Sequence, residues 1–245
     1  MLHGHAERLR VILGESDQHR HHPAFVELVQ RARLAGMAGA TVVHGTAGFG
    51  ASSRVHHEHA LHLSVDTPVV VTIVDRPERI DEFAAGLEEV VSGGLVVRRP
   101  VEVVNGGAGR DGPGATPTGR WRTEEQRGDG HMRLEGTGKR LTIYCGESDR
   151  HHHRPLADAV VELARTEGVA GATVVRGIEG FGASSHLHTT RMLSLSDDLP
   201  IVIEIVDRED RILSLLPRID EMVGDGLVTL EDVEISLYRA EPPPA

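Results

Sequence analysis

Short apolar blocks and polar breaks follow one another along this chain in an order that is written out twice. "RLRVILGE" from Arg8 and "RLTIYCGE" from Arg140 are brief apolar runs with β-branched residues, halted at Gly14 and Gly146, and each predicts a first strand. A polar, histidine-rich turn follows both. "AFVELVQRARLAG" and "LADAVVELARTEG" then place apolar residues three and four apart, start just after Pro23 and Pro155 and close at Gly36 and Gly168, which predicts a helix in each half. "ATVV" reads as a second strand ended by glycines. "PVVVTIVD" and "PIVIEIVD" read as a third, with proline confined to the first position, where no ladder donor is lost. Asp75 and Asp207 stand where helix N-caps are expected, each followed by a surface arginine, Arg76 and Arg208. The helical stretch after them carries Pro217 in the second half, which predicts a bend or a break there. "GLVVRRPVEVV" and "GLVTLEDVEIS" complete the pattern as a fourth strand.

The order βαββαβ predicts an α+β fold, a four-stranded antiparallel sheet with two helices on one face, which is the ferredoxin-like arrangement. The strand runs are apolar at consecutive positions, so the face without helices also needs cover, and association of several such units supplies it. Residues 8–104 align with 140–236 without a gap, with 46 identities in 97 positions, so the chain holds two tandem domains. The boundaries predicted are 1–104 for the first, 105–139 for a flexible linker with ten glycines in 35 residues, and 140–239 for the second. The "EPPPA" tail is expected to be unstructured.

A net charge of -11 disfavours nucleic acid and anionic membranes, which are bound through clustered cations. Lys139 is the only lysine, so a phosphate site must use arginine, histidine or backbone N–H groups, and a lysine P-loop is excluded. Cys145 cannot form an internal disulfide and sits in an apolar run, as a core residue does. No apolar leader follows Met1 and no run reaches membrane-spanning length, so a cytoplasmic protein without membrane insertion is expected. No Ser, His and Asp set repeats in both halves, and nothing in the sequence supports catalysis.

Two features carry candidate chemistry. In the turn after the first strand, Glu15, Asp17, His19 and His21 correspond to Glu147, Asp149, His151 and His153. Carboxylates and imidazoles this close could ligate a divalent metal such as zinc or nickel, contact an anionic ligand when partly protonated, or form a solvated loop. His56 and His188, beyond the second strand, are pocket candidates. The other feature is the glycine run: Gly48, Gly50, Gly180 and Gly182 lack a Cβ, so main-chain N–H groups there can approach a phosphate, and Ser52, Ser53, Ser184 and Ser185 could add hydroxyl donors.

"GATVVRGIEGFG" at residues 171–182 and "GATVVHGTAGFG" at 39–50 resemble the second strand of PII signalling proteins, and "GDGLV" at 224–228, with "SGGLV" at 92–96, resembles the turn before their last strand. With "GESD" and "GFGASS" added, both halves are identified as members of the PII-like family called domain of unknown function 190. The resemblance implies trimeric packing of domains and adenine nucleotides held in clefts between them. Phe49 and Phe181, with their flanking glycines, would lie at such a cleft, and Gly94 and Gly226 would form the facing turn. Ala51-Ser52 and Ala183-Ser184 replace the Arg-Gln of PII proteins, which argues against 2-oxoglutarate sensing. Leu95 and Leu227 replace a phosphate-binding lysine, and the loop has no tyrosine to modify. Some family members are encoded beside fluoride-channel genes, which implies a membrane transporter or channel as the protein partner. The alternative reading is metal binding or metal tolerance through the His-rich turns.

Overall fold

The structure, a computed structural model, describes residues 2–45, 47–49, 55–57, 67–104, 132–182, 188–189, 198–224 and 226–240. The first copy runs β1 (Gly4–Gly14), a ribbon of β2 (Gln18–His19) and β3 (His22–Pro23), α1 (Ala24–Leu34), β4 (Ala40–His44), a hairpin of β5 (Ala47–Phe49) and β6 (Val55–His57), β7 (Pro68–Asp75), α2 (Pro77–Ala84), a 3-10 turn over Leu87–Glu89 and β8 (Leu95–Val103). The second runs β9 (Met132–Gly146), a ribbon of β10 (Arg150–His151) and β11 (Arg154–Pro155), α3 (Leu156–Thr166), β12 (Ala172–Arg176), β13 (Glu179–Phe181), β14 (His188–Thr189), β15 (Pro200–Asp207), α4 (Glu209–Met222) and β16 (Leu227–Ala240). Strand order is β4-β7-β1-β8 in one copy and β12-β15-β9-β16 in the other, antiparallel throughout, which is the predicted ferredoxin-like order.

Alternation along the strands sends one row of side chains under the helices. In the first copy Leu9, Val11, Val42, Val71 and Ile73 meet Phe25, Leu28, Val29 and Ile80. In the second, Leu141, Ile143, Ile203 and Ile205 meet Val160, Leu163, Ile212, Leu215 and Ile219. Gly36 and Gly168 end the first helices with φ of +67° each, a conformation that glycine takes without Cβ strain. The next helix then secures that end: Arg79 Nη2 donates to the carbonyls of Ala35 (2.6 Å) and Gly36 (2.8 Å), and Arg211 donates to Gly168.

Three expectations need correction. Asp75 and Asp207 do not cap the helices after them; the N-cap residues are Arg76 and Arg208, and neither helix has a side-chain cap. One residue too early to reach the free N–H groups of the first turn, Asp75 instead accepts the N–H groups of Ala38 (2.9 Å) and Arg76 (2.7 Å), and Asp207 accepts those of Ala170 and Arg208. They tie the loop after the first helix to the end of the third strand. Pro217 does not break α4, which runs through it; the carbonyl it leaves without a donor is that of Leu213, a residue 37% exposed, where water can serve. The second domain also starts earlier than read, because β9 begins at Met132 inside the stretch taken as linker, where it pairs with Ala240 of β16.

The copies share one ten-stranded sheet, in the order β12-β15-β9-β16-β8-β1-β7-β4-β13-β14. Two seams join them. β16 meets β8 at Thr229↔Val103 and Leu230↔Glu102, and β13 of the second copy adds itself to the edge of β4 in the first, at Glu179↔Val42, Gly180↔Thr41 and Phe181↔Ala40. β12 and β13 stand near opposite ends of that order, although only Gly177 and Ile178 separate them in the chain. The sheet is therefore rolled until its ends approach. At the meeting point a Cβ on Gly177 would lie 2.6 Å from Pro200 of β15 and 2.8 Å from the Val42 carbonyl of β4.

Charge crosses between the copies in a buried network. Arg8 of β1 grips Glu231 of β16 through two bonds of 2.7 and 3.1 Å, and Arg140 adds a third at 2.6 Å. The Arg8 and Glu231 side chains are 5% and 7% exposed, so the network satisfies a charge that would otherwise be costly to bury.

Candidate functional site

The second seam encloses a cleft of about 810 Å3. The first copy lines it with residues 36–41, where the loop leaving α1 is held by Asp75, and with Arg76 and Arg79. The second copy lines it with residues 180–182, Asp149, Asp198, Gly226 and Leu227. Four predicted ligand residues thus come together between domains: Gly180, Phe181, Gly182 and Gly226.

Their roles differ. A Cβ on Gly180 would lie 2.7 Å from the Ala40 carbonyl, so this glycine permits the strand pairing itself. Gly226 is similarly confined, 2.8 Å from the Tyr144 carbonyl, and Gly94, at φ +124°, would drive a Cβ into the Ile12 carbonyl. These are needed for backbone approach between protein segments. Gly182 is exposed, with nothing within 4 Å of its Cβ direction, and is the glycine in the cleft with room for a ligand. Phe181 is 6% exposed and belongs with Ile178 to the first copy's core, so it anchors the seam.

The cleft is electrically mixed. Arg76 is exposed, whereas Arg79 lies 3.3 Å from Asp75 and caps α1. The three carboxylates are already engaged: Asp75 by Ala38, Asp149 by the Gly146 N–H (2.7 Å) and Asp198 by the Ser148 N–H (2.6 Å). Cys145 also lines the cleft, and burial pushes its thiol up to about 12, so it is a protonated, unreactive core group at neutral pH.

Of the other candidates, Gly48 and Phe49 lie on β5, His56 on β6 and His188 on β14; Gly48 pairs with His56 and Gly180 with His188. Gly50, Ser52, Ser53, Ser184 and Ser185 lie outside the described residues. The His-rich turns are tight ribbons in which Arg20 and His21, and again His152 and His153, take positive φ of 45° to 68°. Two consecutive left-handed residues make a type I′ turn, usually built with Asn and Gly, so these side chains hold a strained bend. Asp17 and Asp149 accept the N–H of Gly14 and Gly146 and shape the turn. Among the described residues no three His, Cys, Asp or Glu side chains converge as a metal site.

Sequence reading missed one polar cluster. Glu15 accepts from Thr67 (3.2 Å), and both contact His44 Nε2, at 2.9 and 2.6 Å. Because both contacts fall on one ring nitrogen, the imidazole cannot relay a proton between them. The second copy replaces this cluster with an Arg176–Glu147 ion pair at 2.7 Å. The exchange of His44 for Arg176 between otherwise matching strands was the available signal.

No helix among the described residues is long and apolar enough to cross a membrane. A UPF0166 protein of Aquifex aeolicus is 36% identical over 99 residues, covering 40% of this chain and 91% of the relative. One from Methanocaldococcus jannaschii is 33% identical over 104 residues, covering 42% of this chain and 94% of its own. Each relative is therefore about as long as one copy. A solved structure of an unknown protein from Galdieria sulphuraria covers 94% of this chain and 99% of its own at 10% identity, and its TM-score of 0.24 is too low to bear on the fold. The model of the DUF190 family, described as uncharacterized ACR, matches residues 6–103 and again 138–235. This chain belongs to that family and carries its domain twice.

Proposed function

We propose that the protein is a PII-like regulator that takes a small anionic ligand, an adenine nucleotide, into the cleft between its copies and passes that occupancy to a protein partner. The observation that carries this reading is the placement of residues 180–182 at a seam, facing a loop and two arginines of the other copy. The volume of about 810 Å3 falls within the range of about 300–1,000 Å3 typical of small-molecule sites. Gly182 leaves space for phosphate oxygens to reach the main chain, and Arg76 supplies a positive charge in place of the lysine this chain lacks there. A ligand contacting both copies favours the arrangement in which they are closed on each other, and the segment following Phe181 starts at the cleft wall. That segment is the surface offered to the partner, a membrane transporter or channel. The reading has no catalytic step.

Calorimetric titration with ATP, ADP and AMP tests it. At least one should bind, and Gly182→Val should weaken binding tenfold or more while leaving the circular dichroism unchanged. Absence of binding by all three rules the reading out.

A further inference from the structure

The two copies present nearly the same strand, "GATVV", in unequal states. In the first, β4 is covered by β13: Val42 is fully buried, Thr41 is 8% exposed, and a Cβ on Gly39 would meet the Phe181 carbonyl at 3.0 Å. In the second, β12 has a single neighbouring strand among the described residues, β15. Val174, the counterpart of Val42, is 44% exposed, Thr173 is exposed, and nothing lies within 4 Å of a Cβ on Gly171. The strand able to cover it also stands outside the ten-stranded sheet. β5, the counterpart of β13, pairs only with β6 among the described residues and forms a separate two-stranded sheet.

We propose that β5 of a second copy of this chain adds itself to the free edge of β12, in the register that β13 adopts on β4. Counterpart by counterpart, Ala47 then stands opposite Val174, Gly48 opposite Thr173 and Phe49 opposite Ala172. Gly48 is required there as Gly180 is on β4, where a Cβ meets a carbonyl. Phe49 takes the register position opposite Ala172 that Phe181, a member of the first core, holds opposite Ala40. An edge with unpaired backbone groups and an exposed valine is a template for strand addition, and the counterpart of the strand that covers β4 is its most specific occupant. Each chain gives one strand and receives one, so joining is head-to-tail, and the rotation from one chain to the next sets the number of chains in the assembly. The new seam repeats the one that encloses the cleft, so a second cleft exists only in the assembly, whatever ligand it takes.

The register is tested by disulfide trapping in the full chain, since the sole native cysteine is buried. Chains carrying Ala47→Cys are mixed with chains carrying Val174→Cys and oxidised. A band at twice the 26.5 kDa chain mass is expected, and Thr173→Cys, whose side chain points to the other face, should give at least fivefold less. No cross-link, or equal yields from both positions, overturns the proposal. Sedimentation supplies an arm without cysteines: the parent should exceed one chain, and Gly171→Val, which meets open space within a single chain, should reduce it to one. A parent that sediments as one chain also overturns it. If Gly171→Val unfolds, Val174→Lys makes the same test at an exposed position.

Discussion

Replacing Arg8 with methionine keeps most of the side-chain volume and removes only the charge that crosses from β1 to β16. Glu231 is 7% exposed and loses two of the three hydrogen bonds it accepts, keeping the one from Arg140. Stripping one partner from a buried ion pair costs about 3–5 kcal/mol, and the surviving Arg140 contact places this case near the lower end, at about 3 kcal/mol. For a chain of this size that corresponds to a drop in Tm of roughly 6–12 °C. Differential scanning calorimetry and urea titration of parent, Arg8→Met, Glu231→Leu and the double variant form a complete cycle. The double variant should be more stable than the sum of single losses predicts, by about 1.5 kcal/mol or more, because it leaves no carboxylate to strand. Added salt should change the result little, since buried charges are poorly screened. A loss below about 1 kcal/mol for Arg8→Met, or strict additivity in the cycle, would refute the assignment of this network as the electrostatic tie between copies.

Other outcomes follow from single residues. Phe181→Ala should cost about 3–5 kcal/mol, and hydrogen exchange should show the loosening in the first copy, whose core Phe181 enters, more than in the second. Gly94→Ala, forced to hold a left-handed φ against the Ile12 carbonyl, should destabilise by about 2 kcal/mol in urea. His153→Gly should raise stability by about 1 kcal/mol, because glycine holds φ +68° without strain; a fall in stability would show that the imidazole contributes a contact that outweighs the strain. Cys145 should resist alkylation at pH 8 until the chain unfolds. Its folded pKa, about 12, lies above the ordinary thiol value, so its contribution to stability is fully present below about pH 9 and is lost as pH rises towards 12.

The fold was legible because it is written in short-range terms. Apolar spacing in "AFVELVQRARLAG", the proline before it and Gly36 after it each name a helix or its ends, and the duplicate half repeats the statement. What escaped were matters of one residue or of long range. Asp75 precedes a helix as an N-cap would, and only the fold shows that its carboxylate turns back to Ala38. Pro217 is tolerated because the carbonyl above it can reach water. The cleft was half legible: Gly-Phe-Gly could be singled out as glycine-rich, but which glycine serves a strand and which a ligand depends on what stands opposite. Gly180 faces Ala40, more than a hundred residues away in sequence, whereas Gly182 faces open space.

Position 231 of the second copy corresponds to Arg99 of the first, so the two halves carry opposite charges at one structural site, and only Glu231 is met by Arg8. Separate identical subunits could pair an arginine at one site with a glutamate at another, but every subunit would carry the same residue at this site. Two copies in one polypeptide can each keep its own residue at a shared site, and so left and right become distinguishable within a repeated fold.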